Sequence, residues 1–386
     1  MSSGGGQANG DADRLSIVLT GQALIQSDTR KLWPDLVSKI RPILEGDVVF
    51  TNFESMILEQ EDSMDELPPL NRGHYGPVEM LDVLQEMGFN LLATANNHAY
   101  DLGPKGVLRV IDRIKERGFG YAGTGADAAA AAAPGYIDTP HGKVSLIATA
   151  TGALLENGAA TDSKPGVNEL PLVDGIPDLD AGHPEAHAAR RILDSIAAAR
   201  ENSDIVIAYH HNHEFDKNFV EILQHRLPER LLPPRWMKAW VRRQIDAGAD
   251  MVVLQGLPIA TGLDFYKGRP IFYNMGNFMF QLDAAHKEIF PFDVFQSVVA
   301  RVEYEGRKLK AISFRPIELT DYIHSDESRI ISGIPTPSTG ARAHAMLWQI
   351  KETSRAWGTA VNIEGDVAVV DLSRIDEGQP QLAKAW

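Results

Sequence analysis

A chain of 386 residues, 44% of them hydrophobic, is long enough for one large layered domain or two ordinary ones and can bury a sizeable core. A net charge of -15 without a Lys/Arg cluster excludes a nucleic-acid backbone as partner, because that affinity rests on basic patches. Cysteine is absent, which excludes thiolate catalysis, disulfides and thiolate zinc sites and leaves any metal to His, Asp, Glu or Asn.

Residues 1–13 read as a disordered leader without the basic-then-apolar pattern of a secretory signal, and no apolar run has membrane-spanning length. A cytoplasmic protein with no membrane partner is expected. Leu15 to Thr20 alternates as a first strand and ends at Gly21-Gln22. A helix from about Lys31 to Leu44 leads to a strand from Asp47 to Asn52, with Glu54 at its C-terminal end. Gln60 to Tyr75 is polar and reads as a loop over a site, and Pro77 to Met87 as a helix with proline in its first turn.

Phe89 to Leu92 is an apolar run that delivers Asn96, Asn97, His98 and Asp101 to a strand's C-terminal end, where open α/β sheets place their chemistry. Val107, Val110, Ile111 and Ile114 then mark one buried helical face. Ala128 to Ala133 forms a short helix and Val144 to Thr151 a strand, followed by a loop from Gly152 to Pro184 that serves either as a lid or as plain surface. After a helix from Glu185 to Arg200, the continuous apolar run Asp204 to Tyr209 suits a strand buried on both faces, and it delivers His211, His213 and Glu214. Trp236 and Trp240 share one helical face and belong to the core. Asp250 to Leu254 is a strand ending at Gln255, and Leu263 to Tyr266 with Pro270 to Tyr273 forms a hairpin around Lys267-Gly268. Strands Val294 to Glu303 and Leu309 to Ile317, a helix near Ala341 to Ala356, and two short strands finish the chain. Sheet segments separated by helices and then antiparallel pairs suit two packed mixed sheets with helices outside.

The run Asn96 to Gly103, read with Thr51-Asn52-Phe53-Glu54 and with Arg269 to Phe278, resembles the CapA family, proteins named for capsule and poly-γ-glutamate synthesis. That family is similar to calcineurin-like metallophosphatases, and the likeness runs from about Leu15 to Phe280. It implies an α/β fold, a four-layer α-β-β-α sandwich of two mixed sheets, as a single domain over residues 14–386 whose part 281–386 completes the sheets. It implies a site that includes Glu54, Asn97, His98 and His211. Gln22 stands where the family has a metal-binding aspartate, and Gln255 and Pro258 stand where it has two histidines.

With so few charged donors, no metal is expected, or at most one weakly held Mn, Mg or Zn ion on Glu54, Asn97 and His211. Proton carriers remain. His211 and His213 face the same way on an extended segment, and His98 lies beside Asp101. The leading expectation is a metal-independent acid/base enzyme, a lyase or epimerase, acting on a small apolar or aromatic substrate. Its catalytic residues would be His98, His211, His213, Glu54, Asp101 and Glu214. Substrate would be held by Gln22, Asn52, Asn97, Gln255 and Asn277, with Tyr209, Phe215 and Tyr273 as apolar contacts. A second function is a metal-dependent hydrolase or transferase acting on phosphoesters or γ-glutamyl polymer. A third is a non-catalytic scaffold, and a homo-oligomer is compatible with all three.

Overall fold

The computed structural model describes residues 14–59, 62, 74–173, 183–282, 290–320, 323–324, 330–331 and 333–375. The expected leader and most of the expected loop 60–75 lie outside these residues.

Two mixed sheets carry the fold. The first contains β1 (Leu15–Leu19), β2 (Val48–Asn52), β3 (Leu91–Ala93) and β4 (Gly120–Ala122) as a parallel run. The second contains β5 (Gly135–Thr139), β6 (Gly142–Thr151), β7 (Ile205–Asn212), β8 (Met251–Gln255), β9 (Leu263–Tyr266) and β10 (Arg269–Phe272). In it β6, β7, β8 and β10 run parallel, while β5 and β9 are antiparallel edges. The C-terminal strands β11 (Gln296–Glu305), β12 (Lys308–Leu319), β13 (Pro335–Pro337), β14 (Val361–Glu364) and β15 (Val367–Val370) complete the first sheet in the order β14-β15-β12-β11-β1-β2-β3-β4. Strand β13 adds to β12 off that path.

The inner faces of the sheets meet in one core. Ile17, Leu19 and Phe50 of the first sheet share a buried cluster with Leu146, Ile207 and Val253 of the second. Helices cover the outer faces. On the first sheet, α1 (Leu36–Leu44) and α2 (Glu79–Met87) bury Ile40, Leu44, Met80 and Leu84 beside Val18 and Val49. α3 (Gly103–Glu116) adds Val110 and Ile114 to that layer and turns Val107 and Ile111 toward the central core. On the second sheet, α5 (Ala186–Asn202) and α7 (Arg235–Asp246) bury Ile192, Ile196, Trp236 and Trp240 beside Val206 and Val252. The remaining α-helices among the described residues are α4 (Ala128–Ala132), α6 (Phe219–Gln224) and α8 (Gly340–Ala356). Helices outside two packed sheets make the four-layer α-β-β-α sandwich, as expected.

Local corrections have local causes. The helix expected from Lys31 is broken into a 3-10 turn at Thr29–Lys31 and α1 from Leu36, because Pro34 disfavours helical backbone at Trp33. The hairpin around Lys267-Gly268 is present, with Leu263 opposite Phe272.

One buried carboxylate in the second sheet loads the fold with a pH-dependent cost. Asp264 is 7% exposed. It accepts from the Phe265 amide at 2.7 Å and from the Tyr273 hydroxyl at 3.2 Å. Burial outweighs both bonds and pushes its carboxyl from 3.8 up to about 6. A raised acid binds its proton more tightly when folded, so the cost is absent below 3.8, grows through about 6 and is complete above it. Asp264→Asn should therefore stabilise the protein at pH 8 by roughly 1 to 3 kcal/mol and leave it unchanged at pH 3.5. Urea unfolding at the two pH values measures this, and an equal effect at both would contradict it.

Candidate functional site

Parallel strands from both sheets end on the same side of the sandwich and bring their following residues together. β1 leads to Gln22, β2 to Asn52 and Glu54, β3 to Asn96, Asn97 and His98, and β7 to His211 and His213. Here a cavity of about 210 Å3 opens, with Gln22, Glu54, His74, His98 and His213 among its polar lining. Its remaining walls include Leu24, Phe219, Val220, Phe280, Leu282 and Phe290.

Glu54 is 2% exposed and accepts from Asn52 Nδ2 at 3.1 Å. Asn52 is itself fixed by Asn96, whose amide donates to Asn52 Oδ1 at 3.0 Å while Asn96 Oδ1 accepts from the His98 backbone at 3.0 Å. His211 is fully buried. Its Nε2 meets Asn97 Oδ1 at 2.7 Å and lies 3.8 Å from Glu54 Oε1. Its Nδ1 lies 3.2 Å from the Tyr209 hydroxyl, which donates to Gln255 Oε1 at 3.3 Å. His213 stacks on His211 with ring centres 5.1 Å apart. His98 donates from Nδ1 to buried Asp101 at 2.8 Å, which leaves Nε2 as its other proton-carrying atom.

Burial sets the charges. It raises the Glu54 carboxyl well above the usual range, with Asp101 adding to the effect. It lowers His211 well below the usual imidazole, assisted by His213, His98 and His210, and holds His213 near about 3. Both imidazoles are neutral at pH 7, so neither supplies Glu54 with a positive charge. Glu54, His211 and His213 place one ligand atom each within 4.8 Å of one another.

Of the expected site residues, Gln22, Glu54, His98 and His213 line the cavity. Asn52, Asn97, Asp101 and His211 stand directly behind them. The others are placed differently. Glu214 is exposed and outside the cavity lining, since it follows His213 and projects to the opposite side. Gln255 is satisfied inside the core, its amide donating to Thr20 O at 2.9 Å. Tyr209 fills the space between the sheets against Phe50. Tyr273 packs on Trp357 in the helix layer. Asn277 is fully buried and donates to Val294 O at 2.8 Å. Phe215 backs the cavity wall through Phe219 and His213. The cavity also contains residues not expected from the sequence: His74, edge-on to His98 at 4.0 Å, and the whole apolar wall. His74 is the single histidine of the loop expected over the site, a signal that was present.

Fold and site together define a protein of the four-layer α-β-β-α class with His, Asn and Glu gathered at its strand ends. The family model for the bacterial capsule synthesis protein PGA_cap matches residues 16–282, and the chain belongs to that family. A protein of Sinorhizobium fredii described as uncharacterized protein y4sH is 25% identical over 455 residues, covering 95% of each chain. The capsule biosynthesis protein CapA of Bacillus anthracis is 26% identical over 279 residues, 69% of this chain and 60% of that one. A solved structure described as a novel phosphatase of Mycoplasma pneumoniae aligns with a TM-score of 0.44 at 11% identity, over 83% of this chain and 94% of that one. The expected lyase or isomerase is overturned by this kinship: the family and its named relative belong to capsule synthesis.

The metallophosphatase resemblance drawn from the sequence implies two cations, and the donors gathered here suffice for no more than one. Pro258 lines the cavity without a donor atom, and Glu54 is its sole carboxylate among the described residues. Glu54, His211 and His213 are the set that could hold a single cation. Gln22, also in the lining, has its Oε1 buried with no hydrogen-bond partner.

Proposed function

We propose that this chain is a single-cation hydrolase or transferase that serves capsule-type polymer synthesis. The observation that carries this reading is the convergence of a buried carboxylate and two neutral imidazoles within 4.8 Å on the cavity floor. An uncompensated buried carboxylate is costly and is relieved by a proton or by a cation. The setting comes from the relatives: the Bacillus anthracis protein is named for capsule biosynthesis.

Glu54, His211 and His213 would hold the ion, with Asn97 beside them. When bound, a divalent ion supplies Lewis acidity toward a substrate oxygen. The Tyr209-Gln255 pair holds the Nδ1 side of the His211 ring, and a cation on Nε2 would take the place of the proton that Nε2 now donates to Asn97 Oδ1 at 2.7 Å. Asp101 holds the His98 proton on Nδ1, so His98 Nε2 can accept a proton from an attacking water or return one to a leaving group. Gln22 Oε1, unpartnered and buried, would reach a substrate N–H or O–H on rotation of its terminal amide.

Equilibrium dialysis against Zn²⁺ and Mn²⁺ tests the reading, with hydrolysis of p-nitrophenyl phosphate and of γ-glutamyl-p-nitroanilide followed in parallel. One ion per chain, lost in His213→Ala together with turnover, is the expected result. Binding no stronger in the native chain than in that variant would sink the proposal. Asp101→Asn should lower kcat by on the order of 100-fold while cation binding changes far less, since it removes the partner of the His98 proton and reaches Glu54 only through its charge. Equal losses in both would remove His98 from the proton-transfer role.

A further inference from the structure

We infer that the ligand of this pocket carries one aromatic ring, or a flat apolar group of that size, joined to a small head with an N–H or O–H donor. The inference rests on the pocket being the working site proposed above and deepens it by naming the substrate class.

The walls carry the first half of the argument. Phe219, Phe280 and Phe290 line the cavity and form a connected aromatic surface, with Phe219 and Phe290 centred 6.4 Å apart and Phe280 and Phe290 5.0 Å apart, edge to face. His213 extends that surface to the floor, 5.2 Å from Phe219. Rings arranged this way favour another ring by edge-to-face and offset contact. Size agrees: a dry apolar cavity of about 150 Å3 is known to hold benzene, so 210 Å3 accommodates a ring and a short head.

Charge carries the second half. Among the described lining residues none is Lys or Arg, while Glu54 and the Asp101 behind His98 are acidic, in a chain of net charge -15. A polyanion such as a γ-linked glutamate chain would give up its hydration here and find no cationic side chain in return. A single small head is different. Gln22 lines the cavity and its Oε1 is buried without a hydrogen-bond partner; rotation of the terminal amide turns that acceptor toward a bound head, and an acceptor otherwise left unpaired selects a donor.

The test is calorimetry on the full chain with 3-phenylpropanamide, its N–H-free analogue methyl 3-phenylpropanoate, and a γ-linked pentaglutamate, each in EDTA and in excess Zn²⁺. The amide is expected to bind in both buffers, the ester several-fold more weakly, and the pentaglutamate, in EDTA, not at all. Phe219→Ala should weaken the amide about tenfold. Val220→Trp should abolish its binding by filling the space, and because both positions are half-buried a folded variant is obtainable from at least one. Absence of amide binding, indifference to both substitutions, an ester that binds as well as the amide, or a tighter pentaglutamate would each overturn the inference. Ring binding that persists while Zn²⁺ fails to bind would reject the cation proposal alone, and Zn²⁺ binding without ring binding would reject this one alone.

Discussion

Glu54→Gln is expected to lose at least about 100-fold in Zn²⁺ or Mn²⁺ affinity while folding normally. The side chain keeps its shape and its bond to Asn52, which donates to Glu54 Oε2 at 3.1 Å; a Gln oxygen accepts that bond equally well. What disappears is the negative charge. His211 and His213 are neutral donors held so by burial, and two imidazoles without an anion hold a hard cation poorly. The readout follows from linkage: a ligand at about 100 times its Kd stabilises the folded state by about 2.7 kcal/mol. Thermal unfolding of the native chain should rise with added ion, and that of the variant should stay flat. A variant whose unfolding temperature climbs in parallel with the native chain would mean that Glu54 is not a ligand, and the single-cation reading would fall with it.

The residues that this experiment concerns were legible in the sequence as site candidates, with His213 expected as a proton carrier rather than on an ion. Glu54 and His213 lie one or two residues beyond a strand and His211 is the last residue but one of β7, and a parallel strand buried on both faces announces itself as a continuous hydrophobic run. Which face a terminal side chain takes is harder to read. Tyr273 looked like a substrate contact, yet it follows β10 on the side of Trp357 and Asp264, while its neighbour Phe272 enters the core between the sheets. Glu214 fails by the same alternation that places His211 and His213 together. The apolar wall was illegible because it is assembled from afar. Leu24 and Phe280 are brought side by side by the parallel pairing of Gln22–Leu24 with Asn277–Phe280, and Phe219 arrives on the short helix α6. No local period reports such contacts.

A second large effect is expected at the junction between β7 and β8, where the geometry of both imidazoles is set. Gly256 follows β8 with φ +123, and a Cβ placed there would stand 1.9 Å from Asn212 O and 2.8 Å from Asn212 C. Those are backbone atoms at the end of β7, between His211 and His213, so relief requires the strand end itself to move. Gly256→Ala should cost about 3 kcal/mol or more, from strained backbone and overpacking together. It should also weaken cation binding, because the shift is transmitted to the two ligands that flank Asn212. Gly88→Ala is the control: that residue closes α2 at φ +107, and an added Cβ meets nothing within 4 Å. Only the left-handed conformation is penalised there, about 1 kcal/mol. Urea unfolding of both variants, each with and without Zn²⁺, separates strain from crowding. If Gly256→Ala unfolds no earlier than Gly88→Ala and still takes up the ion, then the close approach of β8 to Asn212 does not position the site.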